Sequence, residues 1–473
     1  MTKKRVFAGF FTNSAGILTS RILGLFRDLL TAGILGAGVW SDIFFIAFKL
    51  PNLFRRLFGE GAFTQAFLPG FVRARRKATF VASVLIRFFL FITILTLLVA
   101  VFAPFFTKLI AIGFDSKTIE MAVPYVRINF LYLSFIFVVT LFASLLHYKA
   151  HFATTAFSTA LLNISMIVAL LLSRNLPKES VVLYLSIGVV VGGLLQALVH
   201  IIALKFTGML KLLTKGLGAI FHGKRADKKD TKGFYKGFYN GVIGSSVAQL
   251  GTFFDTWFAS FLAFGSISYL YYANRIFQLP LALFAIALST AIFPTISKKI
   301  KLGSEKEAID GLSKAFYLLL FLLLASTIGG ILLSKEIVWL IFERGAFNKA
   351  DTVECAKVLS MYMVGLIPFG LAKLFSLWLY AKMRQDIAAK IAIKSLLVTL
   401  VFSIILIKPL GAAGLALASS ISGIFLFVMN LKEFGFGNFL AIICPKKLSF
   451  IALFCIFEIV VLMIFKGFID GYL

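Results

Sequence analysis

The sequence predicts an all-α polytopic membrane protein, with about 13 transmembrane helices in two parallel six-helix lobes around a central cavity, plus one C-terminal helix. Three observations lead to this fold class. Hydrophobic residues make up 60% of the 473-residue chain, and its mean hydropathy is +0.97. Apolar segments of roughly 20 residues or more, the length that spans a bilayer as a helix, recur throughout. The polar segments between them alternate between strongly basic and weakly charged.

Each predicted span is a long apolar run that ends at polar or charged residues. The thirteen spans cover approximately 6–36, 41–71, 79–112, 122–149, 153–173, 179–206, 234–263, 266–298, 308–334, 350–380, 386–408, 411–432 and 447–469. Several exceed the length that a bilayer requires, which indicates tilt or extension beyond the hydrocarbon. The chain has 55 phenylalanines, and we expect these to cover lipid-facing surface.

Basic residues concentrate in every second loop, for example at 72–78 and 298–307. Because Lys and Arg are enriched in cytoplasmic loops, we expect a cytoplasmic N-terminus and a periplasmic C-terminus. The opening residues run directly into the first span without a small-residue cleavage site, so we expect that span to be retained. Topology therefore accounts for much of the net charge of +28, and no nucleic-acid partner is expected.

The two halves of the chain resemble each other. GAGVWSDIFFIAFKLPNLF at 36–54 parallels AFGSISYLYYANRIFQLPLALF at 263–284. Both halves begin on the same side of the membrane, so the repeat is parallel and is typical of a two-lobed transporter. We interpret the basic stretch between the halves as a solvated linker, with anionic-lipid binding as the alternative. The predicted division is an N-terminal lobe at 1–206, a basic cytoplasmic linker at 207–233, a C-terminal lobe at 234–432, and a loop with an extra helix at 433–473.

Arginines within the spans are the main candidate functional residues, because a charge at membrane depth normally faces a protein interior or a water-filled cavity. Arg21 lies near the middle of span 1 and Arg55 near the middle of span 2, and Arg275 is the second-half counterpart. Arg27 is about 120° around the helix from Arg21 but is long enough to reach the same cavity. Guanidinium groups suit bidentate contact with phosphate, which favours an anionic substrate. Structural ion pairs are the alternative for each arginine.

Local spacing predicts partners for some of these charges. Arg56 and Glu60 are spaced i,i+4 and are expected to pair. Arg55 has no such local partner, which makes it the better candidate for contacting a ligand. Asp28 lies seven residues after Arg21 on the same helix face, and we expect it to hold Arg21.

Two further acids lie within the spans. Asp255, in QLGTFFDTWFAS, is either an ion-coupling site or the neutralising partner of a neighbouring arginine. Asp42 lies near the outer end of span 2, where solvation is the alternative to a functional role.

No enzyme site is evident in the sequence. The four histidines lie at span ends or in loops, the three cysteines show no metal or disulfide spacing, and there is no P-loop. A membrane-embedded enzyme acting on polyprenyl phosphates would need a metal or an acid–base cluster. We therefore expect no metal or cofactor, with membrane potential or a monovalent-ion gradient as the candidate energy source.

The charged segments resemble the MurJ (MviN) lipid II flippases, a family of the MOP exporter superfamily. The matching segments are SRILGLFRD at 20–28, GAGVWSDIFFIAFKLPNLFRRLFGEGAFTQAF at 36–67, VAQLGTFFDTWFASFL at 247–262 and YYANRIFQLPLALFAIALSTAIFPTIS at 271–297. Two features depart from the family pattern. Asn274 stands where an aspartate is expected, and thirteen spans are predicted where members usually have fourteen, the last two forming a groove proposed for the lipid tail.

The resemblance implies a transporter that carries undecaprenyl-diphosphate-linked peptidoglycan precursor to the outer leaflet of the bacterial cytoplasmic (inner) membrane by alternating access. It implies diphosphate binding by Arg21, Arg27, Arg55 and Arg275, and it places Asp42 in a periplasmic gate region. Lipid II and the bilayer are the implied partners, with cell-wall synthesis proteins as further candidates. The alternatives are an exporter of another lipid-linked oligosaccharide or of drugs, a polyprenyl-phosphate enzyme, and a non-transporting scaffold for cell-wall synthases.

Overall fold

The computed structural model describes residues 3–56, 62–224 and 226–470. Within these ranges the chain is almost entirely helical and contains no β-strand. It divides into two compact units, Met1–Trp257 and Phe258–Leu473. The predicted all-helical membrane fold is therefore confirmed.

The first unit contains eleven helices, the last of which ends just past the boundary between the units. They are α1 (Lys3–Leu35), α2 (Val39–Phe54), α3 (Ala62–Arg73), α4 (Lys77–Val101), α5 (Ala103–Ile110), α6 (Ser116–Phe130), α7 (Tyr132–Tyr148), α8 (Ala153–Ser173), α9 (Lys178–Phe206), α10 (Met209–Phe221) and α11 (Lys228–Ala259).

The second unit contains nine helices and one π-helical segment. They are α12 (Ser266–Pro280), the π-helical segment Leu281–Ile286, α13 (Ala287–Lys301), α14 (Glu305–Leu332), α15 (Ser334–Phe342), α16 (Lys349–Val364), α17 (Leu366–Ala381), α18 (Gln385–Phe434), α19 (Phe436–Ile442) and α20 (Pro445–Asp470).

Every predicted span coincides with one or two of these helices. In the described part of the chain, nine helical segments are long and apolar enough to cross a membrane. The spans predicted at 386–408 and 411–432 form the single helical run α18, which kinks at Gly411. Gly411 has φ 56° and ψ −132°, and a positive φ is readily adopted only by a residue that lacks a Cβ.

Proline interrupts the corresponding helices of the two units in a similar way. Pro51 lies inside α2, and the backbone is π-helical at 55–56, just after that helix ends. Pro280 ends α12, and a π-helical segment follows directly. Proline supplies no N–H and crowds the preceding turn, so the helix shifts its hydrogen-bond register nearby. The repeat read from the sequence is thus visible in the local backbone of each unit.

Many phenylalanines of the first unit form a buried cluster that joins α3, α4 and α11. Ring centroids of Phe63, Phe67, Phe80, Phe88 and Phe234 lie 5.4–6.2 Å apart in the contacting pairs, mostly edge-to-face or tilted. These are favourable arrangements for aromatic rings. The expectation that phenylalanine covers lipid-facing surface is therefore wrong for this group, which forms core.

The basic stretch at 207–233 contains the amphipathic helix α10. Met209, Leu213 and Gly216 are buried, and Gly216 packs so closely on α4 that a side chain there would overlap the Ala78 carbonyl group. Alternation of apolar and basic residues at helical spacing produces this one-sided burial. Part of the stretch interpreted as a solvated linker is therefore a helix packed on the first unit.

Candidate functional site

Arg21 extends from α1 as an exposed charged side chain. Its guanidinium group makes no hydrogen bond or ion pair with any residue in the described ranges. The helix beneath it is held by α8, because the amide nitrogen of Asn163 donates to the Ser20 carbonyl oxygen at 3.0 Å. Among the described residues Arg21 is thus a cation without a partner, on a backbone that is tied to α8.

Arg27 is buried in a polar network between α1 and α8. Its Nε and Nη2 atoms donate to Oδ1 of Asp28 at 3.0 and 2.6 Å. Its Nη1 atom donates to Oδ1 of Asn163 at 2.9 Å. The exposed fractions are only 7% for Arg27 and 3% for Asp28. This is the arrangement that a buried charge requires, namely an opposite charge together with further hydrogen bonds.

The network corrects one sequence-based expectation. Asp28 holds Arg27 and makes no bond to Arg21, so the i+7 pairing predicted from helix geometry is wrong. A long arginine side chain can fold back onto the carboxylate of the next residue, and at low dielectric the shortest charge separation dominates. Of the alternatives for Arg27, the ion-paired one describes its contacts in this structure.

Arg55 lies at the C-terminal end of α2 and is half-buried. Its Nε and Nη2 atoms donate to Oδ1 of Asn52 at 3.2 and 2.8 Å. The sequence-based observation that Arg55 has no acidic residue at i,i+4 overlooked the amide of Asn52, three residues earlier. The bonds to this neutral side chain orient the guanidinium group. An oriented cation is well suited to bidentate contact with a phosphate group.

Lys49 in α2 and Arg56, just after the end of that helix, belong to a second group of charges. Lys49 is flanked by Asp255 on α11, which attracts it, and by Arg56, which repels it. The charge facing Asp255 is thus a lysine, rather than the arginine considered from the sequence. Oδ1 of Asp255 is buried and accepts no hydrogen bond from the described residues. Glu60, the predicted partner of Arg56, lies outside the described residues.

Asp42 lies in the first turn of α2 and is 1% exposed. Solvation, the alternative considered for this residue, does not apply in this conformation. A carboxylate in the first helical turn is stabilised by the partial positive charge of the helix N-terminus. Ser41 reinforces the same turn, because its hydroxyl group accepts a hydrogen bond from the Gly38 N–H at 2.8 Å.

Arg275 lies in α12 of the second unit and is half-buried. Its Nη2 atom donates to the Tyr271 hydroxyl oxygen at 2.6 Å, and its guanidinium carbon lies 4.8 Å from the centroid of the same ring. Tyr271 therefore orients Arg275 through both a hydrogen bond and a cation–π contact. Asn274, the residue before Arg275, hydrogen-bonds to Gln278, because its Oδ1 atom accepts a hydrogen bond from Nε2 of that residue.

Two residues were missed in the sequence although both carry a usable signal. Asn163 is an amide within an apolar span, and such residues commonly hydrogen-bond to a neighbouring helix. Arg87 is a lone charge in the run VASVLIRFFLFITIL, which meets the criterion applied to Arg21 and Arg55.

Three of these arginines are individually suited to contacting an anion. Arg21, Arg55 and Arg275 each present a guanidinium group that is exposed or half-buried, and two of them are oriented by neutral side chains. In the described residues there is no group of three or more His, Cys, Asp or Glu that could hold a metal ion. Binding and moving a phosphate-bearing molecule is the chemistry that these groups can support.

Comparison with known families gives one consistent result. Residues 31–472 match the family model described as "Lipid II flippase MurJ". A protein of Helicobacter pylori (strain ATCC 700392 / 26695), "Probable lipid II flippase MurJ", is 50% identical over 449 residues, covering 93% of this chain and 97% of that protein. Its namesake in Bdellovibrio bacteriovorus is 30% identical over 468 residues, covering 95% and 86%.

Solved structures agree with this result. "Lipid II flippase MurJ, inward closed conformation" has a TM-score of 0.77 and 28% identity, covering 97% of this chain and 98% of that one. An inward-facing MATE family multidrug resistance transporter of the MOP superfamily has a TM-score of 0.68 and 12% identity, covering 89% and 94%. At that identity, the second likeness shows the fold alone.

Proposed function

The chain belongs to the lipid II flippase MurJ family, and we propose that it moves lipid II from the inner to the outer leaflet of the bacterial cytoplasmic membrane. The cargo is the undecaprenyl-diphosphate-linked precursor of peptidoglycan. The observation that carries this proposal is the family match over residues 31–472. The family is one of transporters, and the protein acts by alternating access without changing its cargo chemically.

The diphosphate is bound by arginine. Arg21 is exposed on α1, and the guanidinium group of Arg55 is oriented by Asn52 at the end of α2. Arg275 contributes a third guanidinium group, oriented by Tyr271. Arg27 acts as a positioning residue, because its hydrogen bonds to Asp28 and Asn163 support the helix that carries Arg21. Arginine suits this task because its planar fork can donate to two phosphate oxygens at once.

Charge movement supplies the direction of transport. Moving one elementary charge through 100 mV is worth about 2.3 kcal/mol, enough to bias a conformational cycle. We assign this role to the membrane potential or to a monovalent-ion gradient, with Asp255 and Lys49 as the charged pair within the spans that responds to it. Asp42 supports the periplasmic gate. The N-terminus is cytoplasmic and the C-terminus periplasmic, as the distribution of basic loops indicates.

Complementation tests the proposal. Cells depleted of their own lipid II flippase should grow when they express this chain. Growth should be lost with Arg21→Ala or Arg55→Ala at equal membrane abundance. Arg174→Ala is the matched control, since it removes an exposed arginine that lies after the end of α8 and has no assigned role. Full rescue by both Arg21→Ala and Arg55→Ala would refute the diphosphate contacts. A wild-type chain that inserts but neither rescues growth nor moves lipid II across proteoliposomes would refute the function itself.

A further inference from the structure

A groove of about 440 Å³ lies between α4 and α11 on the first unit. Its volume falls within the range of roughly 300–1,000 Å³ that ligand pockets occupy. Aromatic and aliphatic side chains form nearly all of its lining, together with the single charged residue Arg87. No step of the proposed transport cycle uses this groove.

Arg87 is an exposed cation in an otherwise apolar part of α4. Its guanidinium carbon lies 6.0 Å from the ring centroid of Tyr235, and this is its one specific contact in the described residues. A cation–π contact at that distance leaves the charge itself uncompensated. A charged side chain facing hydrocarbon is costly, so an anionic group beside Arg87 would be stabilising.

The helix α10 marks the level of the membrane interface. It combines an apolar packed face with the exposed Lys211 and Lys215, and Phe221 at its end is 83% exposed. Amphipathic helices of this composition lie in the plane of the interface. Since α10 packs on α4 at Ala78 and Ala82, those residues lie at about that level.

The guanidinium group of Arg87 lies close to that interface. Its Cα is five residues beyond Ala82, which is about 8 Å at a rise of about 1.5 Å per residue. Side chains on a helix lean toward its N-terminus, and long cationic ones extend toward the headgroups. The guanidinium group can therefore reach the phosphate of a lipid in the adjacent leaflet.

The apolar part of the groove extends away from the interface. Both α4 and α11 run inward from the α10 side. Ala78, in the first turn of α4, packs against Gly216 of α10, and α11 begins shortly after α10 ends. Tyr235 stacks beside Phe88 at the level of Arg87, whereas Phe91, Tyr239 and Val242 lie about one to two turns deeper. The groove thus has the polarity of a lipid, with its cation toward the headgroups and its apolar wall toward the bilayer centre.

We propose that this groove binds an anionic phospholipid of the leaflet adjoining α10, with its phosphate at Arg87 and one acyl chain along Phe91, Tyr239 and Val242. Charge complementarity favours an anionic lipid over a zwitterionic one. The bound lipid bridges α4 and α11. This site is separate from the arginines assigned to the lipid II diphosphate.

Lipid titration of the purified full-length protein, followed by native mass spectrometry, tests the site. The probes are dioleoylphosphatidylglycerol and dioleoylphosphatidylcholine, which share their acyl chains and differ in net charge. The wild-type protein should bind one lipid molecule at this site, and its affinity for phosphatidylglycerol should exceed its affinity for phosphatidylcholine. Arg87→Gln should weaken that binding about tenfold, as expected for the loss of a charge-assisted hydrogen bond. Arg87→Lys should retain the preference, and Arg174→Gln should leave it unchanged.

A second pair of variants tests the acyl chain. Phe91 lines the groove and is 50% exposed, whereas Phe89 is outside it and is 47% exposed. Phe91→Ala should weaken the binding of both lipids, and Phe89→Ala should not. The proposal is overturned if Arg87→Gln changes phosphatidylglycerol affinity by less than twofold, or if Phe89→Ala weakens binding as much as Phe91→Ala. It is also overturned if undecaprenyl phosphate displaces phosphatidylglycerol from this site at lower concentration, since the occupant would then be a polyprenyl lipid.

Discussion

Removing either member of the Arg27–Asp28 pair should destabilise the protein, and removing both should restore much of the loss. The pair is almost fully buried, and two hydrogen bonds join guanidinium to carboxylate directly. Arg27→Met leaves a buried carboxylate, and Asp28→Leu leaves a buried guanidinium group. Each single change should lower the free energy of unfolding by about 3–5 kcal/mol, the cost of leaving one charge of a buried pair uncompensated.

The double variant Arg27→Met/Asp28→Leu removes both buried charges from this site. Apolar replacements of a buried pair are often nearly neutral, so its stability should approach that of the wild type. A remaining deficit of about 1 kcal/mol is expected, because Oδ1 of Asn163 loses the donor that lies 2.9 Å away. The measurement is equilibrium unfolding in mixed micelles at increasing denaturing-detergent content, followed by circular dichroism.

The coupling energy between the two sites tests whether Arg27 and Asp28 stabilise each other. With losses of about 3–5 kcal/mol for each single variant and about 1 kcal/mol for the double variant, the coupling energy should be about 5–9 kcal/mol. Independent sites would instead add within about 0.5 kcal/mol. If the losses of the two single variants simply add in the double variant, Arg27 and Asp28 do not stabilise each other. Arg27 would then not act as a positioning residue.

Two further predictions concern packing and orientation. Gly193→Ala should destabilise the protein by about 1–3 kcal/mol, because its Cβ would lie 2.6 Å from the buried ring of Tyr132. Gly218→Ala, with nothing within 4 Å, should stabilise α10 by about 0.5–1 kcal/mol, and equal melting temperatures for the two variants would contradict this reasoning. Tyr271→Phe should slow lipid II transport in proteoliposomes without changing the melting temperature. It removes the oxygen that accepts a hydrogen bond from Arg275 Nη2 but keeps the aromatic ring. Tyr271→Leu should slow it further, and wild-type rates for both variants would show that Tyr271 does not orient Arg275.

Local features of the sequence determined the fold class and the helices. Hydropathy is a property of consecutive residues, so each predicted span falls on helices such as α8 at Ala153–Ser173. The Leu-Pro repeat was likewise readable, because proline acts on its own turn. The charged segments identified the family for the same reason. A match between sequences depends on the order of consecutive residues and not on which partners their side chains contact.

Pairing within the site was decided by the tertiary structure. Asn163 is more than a hundred residues from Arg27 in the chain, yet its amide supports the helix on which Arg27 and Arg21 lie. Helix periodicity assigned Asp28 to the wrong arginine, because it measures which residues share a face and ignores the reach of a flexible side chain. Phenylalanines look alike in a hydropathy profile whether they face lipid or one another. Tertiary packing, such as the approach of α11 to α4 that brings Phe234 against Phe88, shows which of them form core. Sequence thus determined which segments are long and apolar enough to cross a membrane, and the packing of helices distant in the chain decided which charges are held in buried networks.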